Sequence, residues 1–143
     1  FDKAILNSNK VAMSLSDLFC VERHKAQFLE LVKNKLDIIF ANEQEILSLI
    51  ESDSFDEAVT FLKNLNKNIV ITRGEKGAIA INKGEIEECA AEKNLNIADL
   101  TGAGDLFAAG YLHGIINNLT TKESLIKGTE LSSKIIQKIG ARI

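Results

Sequence analysis

The stretch Asp99-Leu100-Thr101-Gly102-Ala103-Gly104-Asp105-Leu106-Phe107 decides how the rest of the chain is interpreted. Its three small residues precede an acid, and apolar side chains then recur at helical spacing, which predicts a tight turn that opens a helix. Glycine lets the backbone adopt a positive φ and approach a ligand closely. The first amides of a helix have no internal partners and carry partial positive charge. We therefore expect an anion site, with phosphate as the usual occupant, beside a carboxylate that can accept a proton from a hydroxyl.

A second interpretation of the same stretch needs no ligand. A Thr-Gly-x-Gly-Asp turn can begin a helix with Thr101 or Asp105 as its capping side chain. Short glycine motifs also occur by chance. From this stretch alone both interpretations stay open.

Composition and charge narrow the class of protein. The 143 residues are enough for one domain with a real core, and a hydrophobic content of 45% with 26% charged residues is typical of a globular chain. The net charge is −3 and no basic run is present, which argues against a nucleic-acid partner. No apolar stretch approaches the ~20 residues that span a bilayer, and no signal peptide is visible. We expect a cytoplasmic protein whose Cys20 and Cys89 are reduced.

Apolar runs and helical periodicity alternate along the chain. Strands are predicted at 11–15, 37–41, 69–72, 78–81 and 86–91, the first two of them buried. Helices are predicted at the beginning of the chain and at 21–35, 43–50, 54–65, 104–117 and 121–139. Asp17 is a candidate cap, and Gly140 a candidate C′ residue of the last helix. This alternation predicts an α/β protein with a parallel sheet that is covered on both faces.

Two further motifs follow predicted strands. Asn42 and Glu45 stand at capping-box spacing, an arrangement that needs no function. The run 72–77, Thr-Arg-Gly-Glu-Lys-Gly, has glycine at both corners of a predicted hairpin. Its Arg73 can pair with a phosphate or with a surface acid. Ligands of such sheets sit at the carboxyl ends of the strands, so Asn42, Thr72 and the Asp99–Asp105 stretch are expected to line one crevice.

These motifs together resemble the ribokinase-like PfkB carbohydrate kinase family. The family signature Asp-Thr-(Thr or Asn)-Gly-Ala-Gly-Asp-x-Phe matches at Asp99, at 101–105 and at Phe107, with Leu100 where the family usually has Thr. The family's Asn-x-x-Glu motif matches Asn42 and Glu45. Its Thr-x-Gly-x-x-Gly element and its Gly-Ala-Arg end are similar to the runs 72–77 and 140–142. The stretch 14–32 looks closest to the bacterial adenosine-kinase-like branch.

The resemblance implies a Rossmann-like layered αβα fold of the ribokinase type. Family members are normally about twice this length, and their N-terminal half supplies the sugar-binding residues and a small β lid. This chain resembles the C-terminal, nucleotide-binding part. We therefore expect residues 1–143 to be a single partial domain without the N-terminal half and the lid.

The resemblance also implies ATP-dependent phosphoryl transfer to a hydroxyl of a sugar or nucleoside. Asp105 would be the general base, and the amides of Gly102, Ala103 and Gly104 an anion hole. The residues implied to bind nucleotide are Thr72, Arg73, Gly74, Gly77, Gly102, Gly104 and Ala141. Asn42 and Glu45 would support Mg²⁺, largely through water, and Asp99 and Thr101 a monovalent cation such as K⁺.

The main alternative to a kinase is a non-catalytic nucleotide-binding or interaction domain, because the half that would bind the acceptor is not in this sequence. Apolar surface left uncovered there would favour a homodimer. The sequence lacks Gly-x-Gly-x-x-Gly after its first strand and lacks a Walker-type motif, which argues against a dinucleotide-dependent oxidoreductase and a P-loop enzyme.

Overall fold

The computed structural model describes residues 2–142, which form seven α-helices and five β-strands. The helices are α1 (Asp2–Asn7), α2 (Leu18–Arg23), α3 (Lys25–Asn34), α4 (Glu43–Ile50), α5 (Phe55–Lys63), α6 (Ala103–Ile116) and α7 (Thr121–Ile135). The strands are β1 (Ala12–Ser14), β2 (Ile38–Asn42), β3 (Asn68–Thr72), β4 (Ala78–Asn82) and β5 (Glu85–Cys89). The terminal residues of the predicted domain 1–143 lie outside the described part.

The five strands form one sheet in the order β1-β2-β3-β4-β5. Strands β1 and β2 pair in parallel, and helices α2 and α3 make the crossover that a parallel pair needs. The connections β3–β4 and β4–β5 are too short for a crossover, so these three strands follow one another as hairpins. The β4–β5 turn is Lys83-Gly84, and both residues have positive φ, 51° and 84°, as a two-residue hairpin turn of type I′ requires. The predicted α/β fold is confirmed, with a mixed sheet flanked by helices.

The chain divides into two compact units, and the first contains the residues up to Ile71 together with Ile81–Ile86. Its core comes from the apolar run of β2 and from buried side chains of the helices and of β3, which include Leu15, Val21, Leu36, Ile39, Ile46, Leu49, Leu62, Ile69 and Ile71. Removal of these side chains from water is the main stabilising contribution.

Two predictions for the first unit are wrong in detail. Strand β1 is not buried: Ala12 and Ser14 are exposed, since β1 lies at an edge of the sheet with a strand on one side only. The helix predicted at 21–35 is two helices that meet at His24, which has a non-helical backbone (φ −124°, ψ 27°). The first of them starts earlier, because the Asp17 side chain accepts a hydrogen bond from the Cys20 amide and caps it, as predicted.

The second unit contains Thr72–Ala80 and the residues from Glu87 onward, and helices α6 and α7 are its main body. Glycines let the two helices approach closely. A Cβ on Gly110 would collide with the backbone of Lys127, one on Gly114 with Ser124, and one on Gly128 would lie 2.8 Å from the Phe107 carbonyl oxygen. The small residues of α6 thus allow close packing, and α7 is the partner.

Helix α7 ends at Ile135, four residues before the predicted end. The carbonyl of Ile136 accepts hydrogen bonds from the amides of Ala98 (2.8 Å) and Asp99 (3.2 Å). In a continuing helix that carbonyl would accept from the Gly140 amide, which donates instead to Asp99 Oδ2 at 2.9 Å. Gly140 is therefore not the C′ residue of α7, although its φ of 88° still favours glycine. Contacts with the preceding loop thus terminate the helix.

The helices between residues 2 and 142 can also be compared with the requirements for crossing a bilayer. None of them is both long enough and apolar enough to do so.

Candidate functional site

The start of α6 lies within the glycine-rich stretch, as predicted. Gly102 occupies the N-cap position with φ 79° and ψ 2°, a left-handed conformation that glycine adopts without strain. In the part of the chain that the structure describes, no side chain caps the helix. The Thr101 hydroxyl donates to Asp99 Oδ1 at 2.7 Å instead. The alternative in which Thr101 or Asp105 caps the helix is therefore wrong.

The first backbone amides of α6 differ in whether they have a partner. The Ala103 amide donates to the Leu100 carbonyl at 3.1 Å. Within residues 2–142, the amides of Gly102, Gly104 and Asp105 have no hydrogen-bond partner. A Cβ placed on Gly104 would meet nothing within 4 Å, so the space beside it is open. Of the three amides in the predicted anion hole, that of Ala103 is thus engaged within the loop, and those of Gly102 and Gly104 have no partner among residues 2–142. Anion binding here stays a prediction.

The Asp105 carboxylate stands in the first turn of α6 and is exposed. It makes no hydrogen bond or ion pair with any residue of the described range 2–142. Both of its oxygens can therefore accept a proton or a hydrogen bond from a ligand.

Asp99 fastens the loop before α6 to the end of the chain. Its Oδ1 accepts from the Thr101 amide (2.9 Å) and hydroxyl, and its Oδ2 accepts from the Gly140 amide. The hydrogen bonds from Thr101, and then that from Gly140, lower the pKa of the Asp99 carboxyl. In the same loop, a Cβ on Gly102 would lie 3.0 Å from the Ala141 Cβ. The predicted site residues Asp99, Gly102 and Ala141 are thus brought together.

Of the predicted nucleotide-binding residues, Thr72 ends β3, and Arg73, Gly74 and Gly77 lie in the turn between β3 and β4. A short 3₁₀ turn spans Gly74–Lys76, and the Arg73 amide donates to the Gly77 carbonyl at 2.8 Å. Gly77 has φ 90°, and a Cβ there would collide with the backbone of Cys89–Ala91. Gly74, with φ 58°, borders open space. Packing alone therefore explains Gly77, whereas Gly74 leaves room for a ligand.

Asn42 and Glu45 form a complete capping box at the junction of β2 and α4. The Asn42 side chain accepts from the Glu45 amide (2.8 Å), and Glu45 Oε2 accepts from the Asn42 amide (2.9 Å). Asn42 Nδ2 also donates to Glu45 Oε1 at 2.8 Å. Glu45 is only 4% exposed. Its burial raises the pKa of the Glu45 carboxyl, the bond from Asn42 opposes this, and the charge of Asp17 adds to the increase.

The site residues fall into two groups. Asn42 and Glu45 belong to the first unit, and the glycine-rich stretch, the 72–77 turn and Ala141 belong to the second. Among residues 2–142, no cluster of three or more His, Cys, Asp or Glu side chains is arranged to hold a metal ion. A single crevice lined by both groups stays a prediction.

Comparison with known proteins identifies the family. Residues 3–143 match the pfkB family carbohydrate kinase. The chain belongs to this family. The cytidine kinase of Thermococcus kodakarensis is 30% identical over 139 residues, which are 94% of this chain and 50% of that protein.

Solved structures of pfkB-like kinases have the same fold. The adenosine kinase of Sinorhizobium meliloti superimposes with a TM-score of 0.90 at 38% identity, over 94% of this chain and 41% of that one. A probable sugar kinase of Rhizobium etli gives 0.89 at 38% identity, over 93% and 41%. The chain thus spans half or less of the length of these relatives.

Sequence reasoning about this pfkB family chain missed two features of the site. The tie between Asp99 and Gly140 joins residues 41 positions apart, and no local pattern predicts such a contact. The engagement of the Ala103 amide follows from the left-handed Gly102, which turns the chain back so that Leu100 and Ala103 meet. Gly102 indicates such a turn in the sequence, but it does not indicate which backbone amide would donate a hydrogen bond within the turn.

Proposed function

We propose that the full-length protein to which this chain belongs is an ATP-dependent kinase that phosphorylates a hydroxyl of a sugar or nucleoside. The observation that carries the proposal is the start of α6. Three amides that have no hydrogen-bond partner among residues 2–142 and the exposed Asp105 carboxylate lie there within one turn of helix. Phosphoryl transfer needs this combination, namely fixed donors for a charged phosphoryl group and an acceptor for the proton of the attacking hydroxyl.

The amides of Gly102, Gly104 and Asp105 would donate to phosphoryl oxygens. They are held by the helix, so no reorganisation is needed when negative charge develops during transfer. The positive end of the α6 dipole adds to the attraction. The open space beside Gly104 fits a tetrahedral anion, which a side chain at that position would obstruct.

Asp105 would act as the general base. Its carboxylate has no protein partner within residues 2–142 to release before it accepts a hydrogen bond from the substrate hydroxyl. A carboxylate in this position can accept the proton of an attacking hydroxyl. The proton of the hydroxyl would pass to Asp105 as the hydroxyl oxygen bonds to the γ-phosphorus of ATP, while the bond from that phosphorus to the β,γ-bridging oxygen breaks and ADP leaves.

The nucleotide would extend from the α6 start along Thr72–Gly77. Bound ATP supplies the γ-phosphoryl group. The left-handed Gly74 with open space beside it, and Ala141 against Gly102, are the structural features that support this placement. Arg73, which would pair with a phosphate, is half-buried at the same turn.

Asn42 and Glu45 would support Mg²⁺ through water. Both Glu45 oxygens accept from Asn42, yet a carboxylate has about four acceptor positions in all, so a water can still bind. Mg²⁺ keeps several waters and takes other ligands from substrate phosphates, so a pair of this kind fits it. Binding of K⁺ near Asp99 and Thr101, and a homodimer, stay predictions.

The acceptor class is proposed from the relatives. They are named as cytidine kinase, adenosine kinase and sugar kinase, so the acceptor would be a ribose-type hydroxyl. The test is transfer from ATP by the full-length protein, with Mg²⁺ and K⁺, to a panel of cytidine, adenosine, other nucleosides, ribose and fructose. Transfer to one acceptor supports the proposal. Nucleotide binding without transfer to any acceptor favours the non-catalytic nucleotide-binding domain.

A further inference from the structure

Asp99 is held by three protein donors that come from two distant parts of the chain. Its Oδ1 accepts hydrogen bonds from the amide and hydroxyl of Thr101 in the same loop, and its Oδ2 accepts one from the Gly140 amide after α7. The Ala98 and Asp99 amides reach the Ile136 carbonyl. The two segments are therefore joined by backbone bonds as well as by the carboxylate. We refer to the loop 98–102 and the turn 136–141, joined in this way, as the clamp.

The clamp lies next to the amides proposed to bind phosphate. Gly102 is both the last residue of the loop and the N-cap of α6, and it packs against Ala141 one residue after Gly140. Its left-handed conformation decides where its own amide and the following amides of α6 point. A loop that is tied at Asp99 and packed at Gly102 has little freedom to change that direction.

We infer that Asp99 is a positioning residue of the anion site, which acts through Gly140 and Thr101 to fix the backbone of Gly102. This inference rests on the proposed function for its effect on nucleotide binding. Asp99 need not touch the ligand, because its oxygens face protein donors. Its role follows from geometry: a carboxylate can serve donors on both sides of the clamp, whereas an amide side chain has a single acceptor oxygen.

The direction in which Asp99→Asn changes nucleotide affinity distinguishes a positioning role of Asp99 from a purely electrostatic one. Loss of a negative charge near a phosphate site would by itself strengthen nucleotide binding, because the Coulomb repulsion between that charge and the phosphates is removed. If Asp99 positions the amides, Asp99→Asn weakens binding instead. Glu92→Gln is the matched control, because Glu92 is an exposed acid seven positions earlier and makes no hydrogen bond or ion pair to the described residues 2–142.

A second variant breaks the other side of the clamp without touching the carboxylate. Gly140 has φ 88°, and a Cβ there would meet no atom of residues 2–142 within 4 Å, so Gly140→Ala disturbs the backbone conformation and not the packing. If Asp99 acts through Gly140, the double variant binds nucleotide no more weakly than the weaker single variant. If Asp99 and Gly140 acted independently, the fold increases in Kd of the two single variants would multiply in the double variant.

The experiment measures MgATP affinity by calorimetry and amide hydrogen exchange in peptides covering 98–106 and 136–142. It uses the full-length protein, the two single variants, the double variant and Glu92→Gln. We expect Asp99→Asn to raise exchange in both peptides and to raise Kd about tenfold, the loss expected for one charge-assisted hydrogen bond, with Glu92→Gln unchanged. Unchanged exchange, unchanged or tighter binding, or multiplied effects in the double variant would overturn the inference.

Two further outcomes are decisive. If the unmodified protein binds no nucleotide, the proposed function fails, and the exchange of the two peptides still decides whether Asp99 holds Gly102. Raised exchange in both would support the clamp and unchanged exchange would refute it. A binding defect of Asp99→Asn that appears only in the presence of K⁺, with unchanged exchange, would assign Asp99 to cation binding and overturn the positioning role.

Discussion

Asn42 and Glu45 bond to each other through both side chains and both backbone amides. The same two residues are the proposed support for Mg²⁺, so capping and metal support have to be separated by experiment. Each oxygen of the buried Glu45 carboxylate already has one donor from Asn42. The stability of α4 and any effect on catalysis therefore depend on the same pair.

Asn42→Ala and Asn42→Ser separate the two roles. Alanine removes the cap of α4 and should lower the free energy of unfolding by about 1 kcal/mol, whereas serine is an equally good N-cap and should restore most of it. Thermal or denaturant unfolding of both variants measures this. If Asn42 also supports Mg²⁺, Asn42→Ser keeps its stability but requires more Mg²⁺ for half-maximal activity. A serine variant with an unchanged Mg²⁺ requirement would leave capping as its role.

The buried Glu45 predicts a specific pH dependence of stability. Burial raises its pKa above the ordinary 4.5, so the native state holds this proton more tightly than the unfolded state. The contribution to stability is then fully present below pH 4.5 and is lost as the pH rises through the raised pKa. Glu45→Gln cannot titrate. Denaturant unfolding of both proteins between about pH 4 and 7 should show the stability of the unmodified protein falling relative to the variant, and a constant difference would contradict this.

The contact between α6 and α7 predicts opposite effects for two glycines of one helix. A Cβ at Gly110 would collide with the Lys127 carbonyl, and a backbone atom cannot move aside cheaply. Gly110→Ala should therefore lower the free energy of unfolding by roughly 1–3 kcal/mol. Gly104→Ala meets nothing within 4 Å and should be neutral or stabilising, by up to about 1 kcal/mol of helix propensity. Equal destabilisation by the two would contradict the described helix contact.

Asp99 predicts a loss of stability in acid. The bonds from Thr101 and Gly140 lower its pKa below the ordinary 3.8, so its contribution is present above pH 3.8 and is lost as the pH falls through the lowered pKa. The difference in unfolding free energy between the unmodified protein and Asp99→Asn should be constant above about pH 5 and shrink below 3.8. Urea unfolding at a series of pH values measures it. A difference that grows toward acid would show that the bonds are not formed by the charged carboxylate.

Elements with a local pattern were predictable from the sequence. The continuous apolar run of β2, the Asn42–Glu45 spacing and the glycine start of α6 each determine structure within a few residues, and each was predicted correctly. The left-handed turn at the start of α6 was also predictable, because glycine has no side chain and adopts the φ of 79° at Gly102 without strain.

Elements that depend on distant contacts were not predictable in the same way. Periodicity continues through His24 and past Ile135, yet both helices end there. Helix α7 ends at Ile135 because the Ile136 carbonyl accepts hydrogen bonds from the loop amides of Ala98 and Asp99. The exposure of β1 depends on its edge position in the sheet, which a short apolar run does not encode.

The most direct test of the proposed kinase is Asp105→Asn in the full-length protein. Asparagine has nearly the same shape, and the backbone amides at the start of α6 remain, so MgATP affinity should stay within about threefold while kcat falls at least ~100-fold with the best acceptor. Calorimetry and initial rates on the same preparations measure both, with Glu92→Gln as the charge control. Loss of kcat with retained binding is the expected result. An Asp105→Asn variant with full activity would contradict the role of Asp105 and the site built around it.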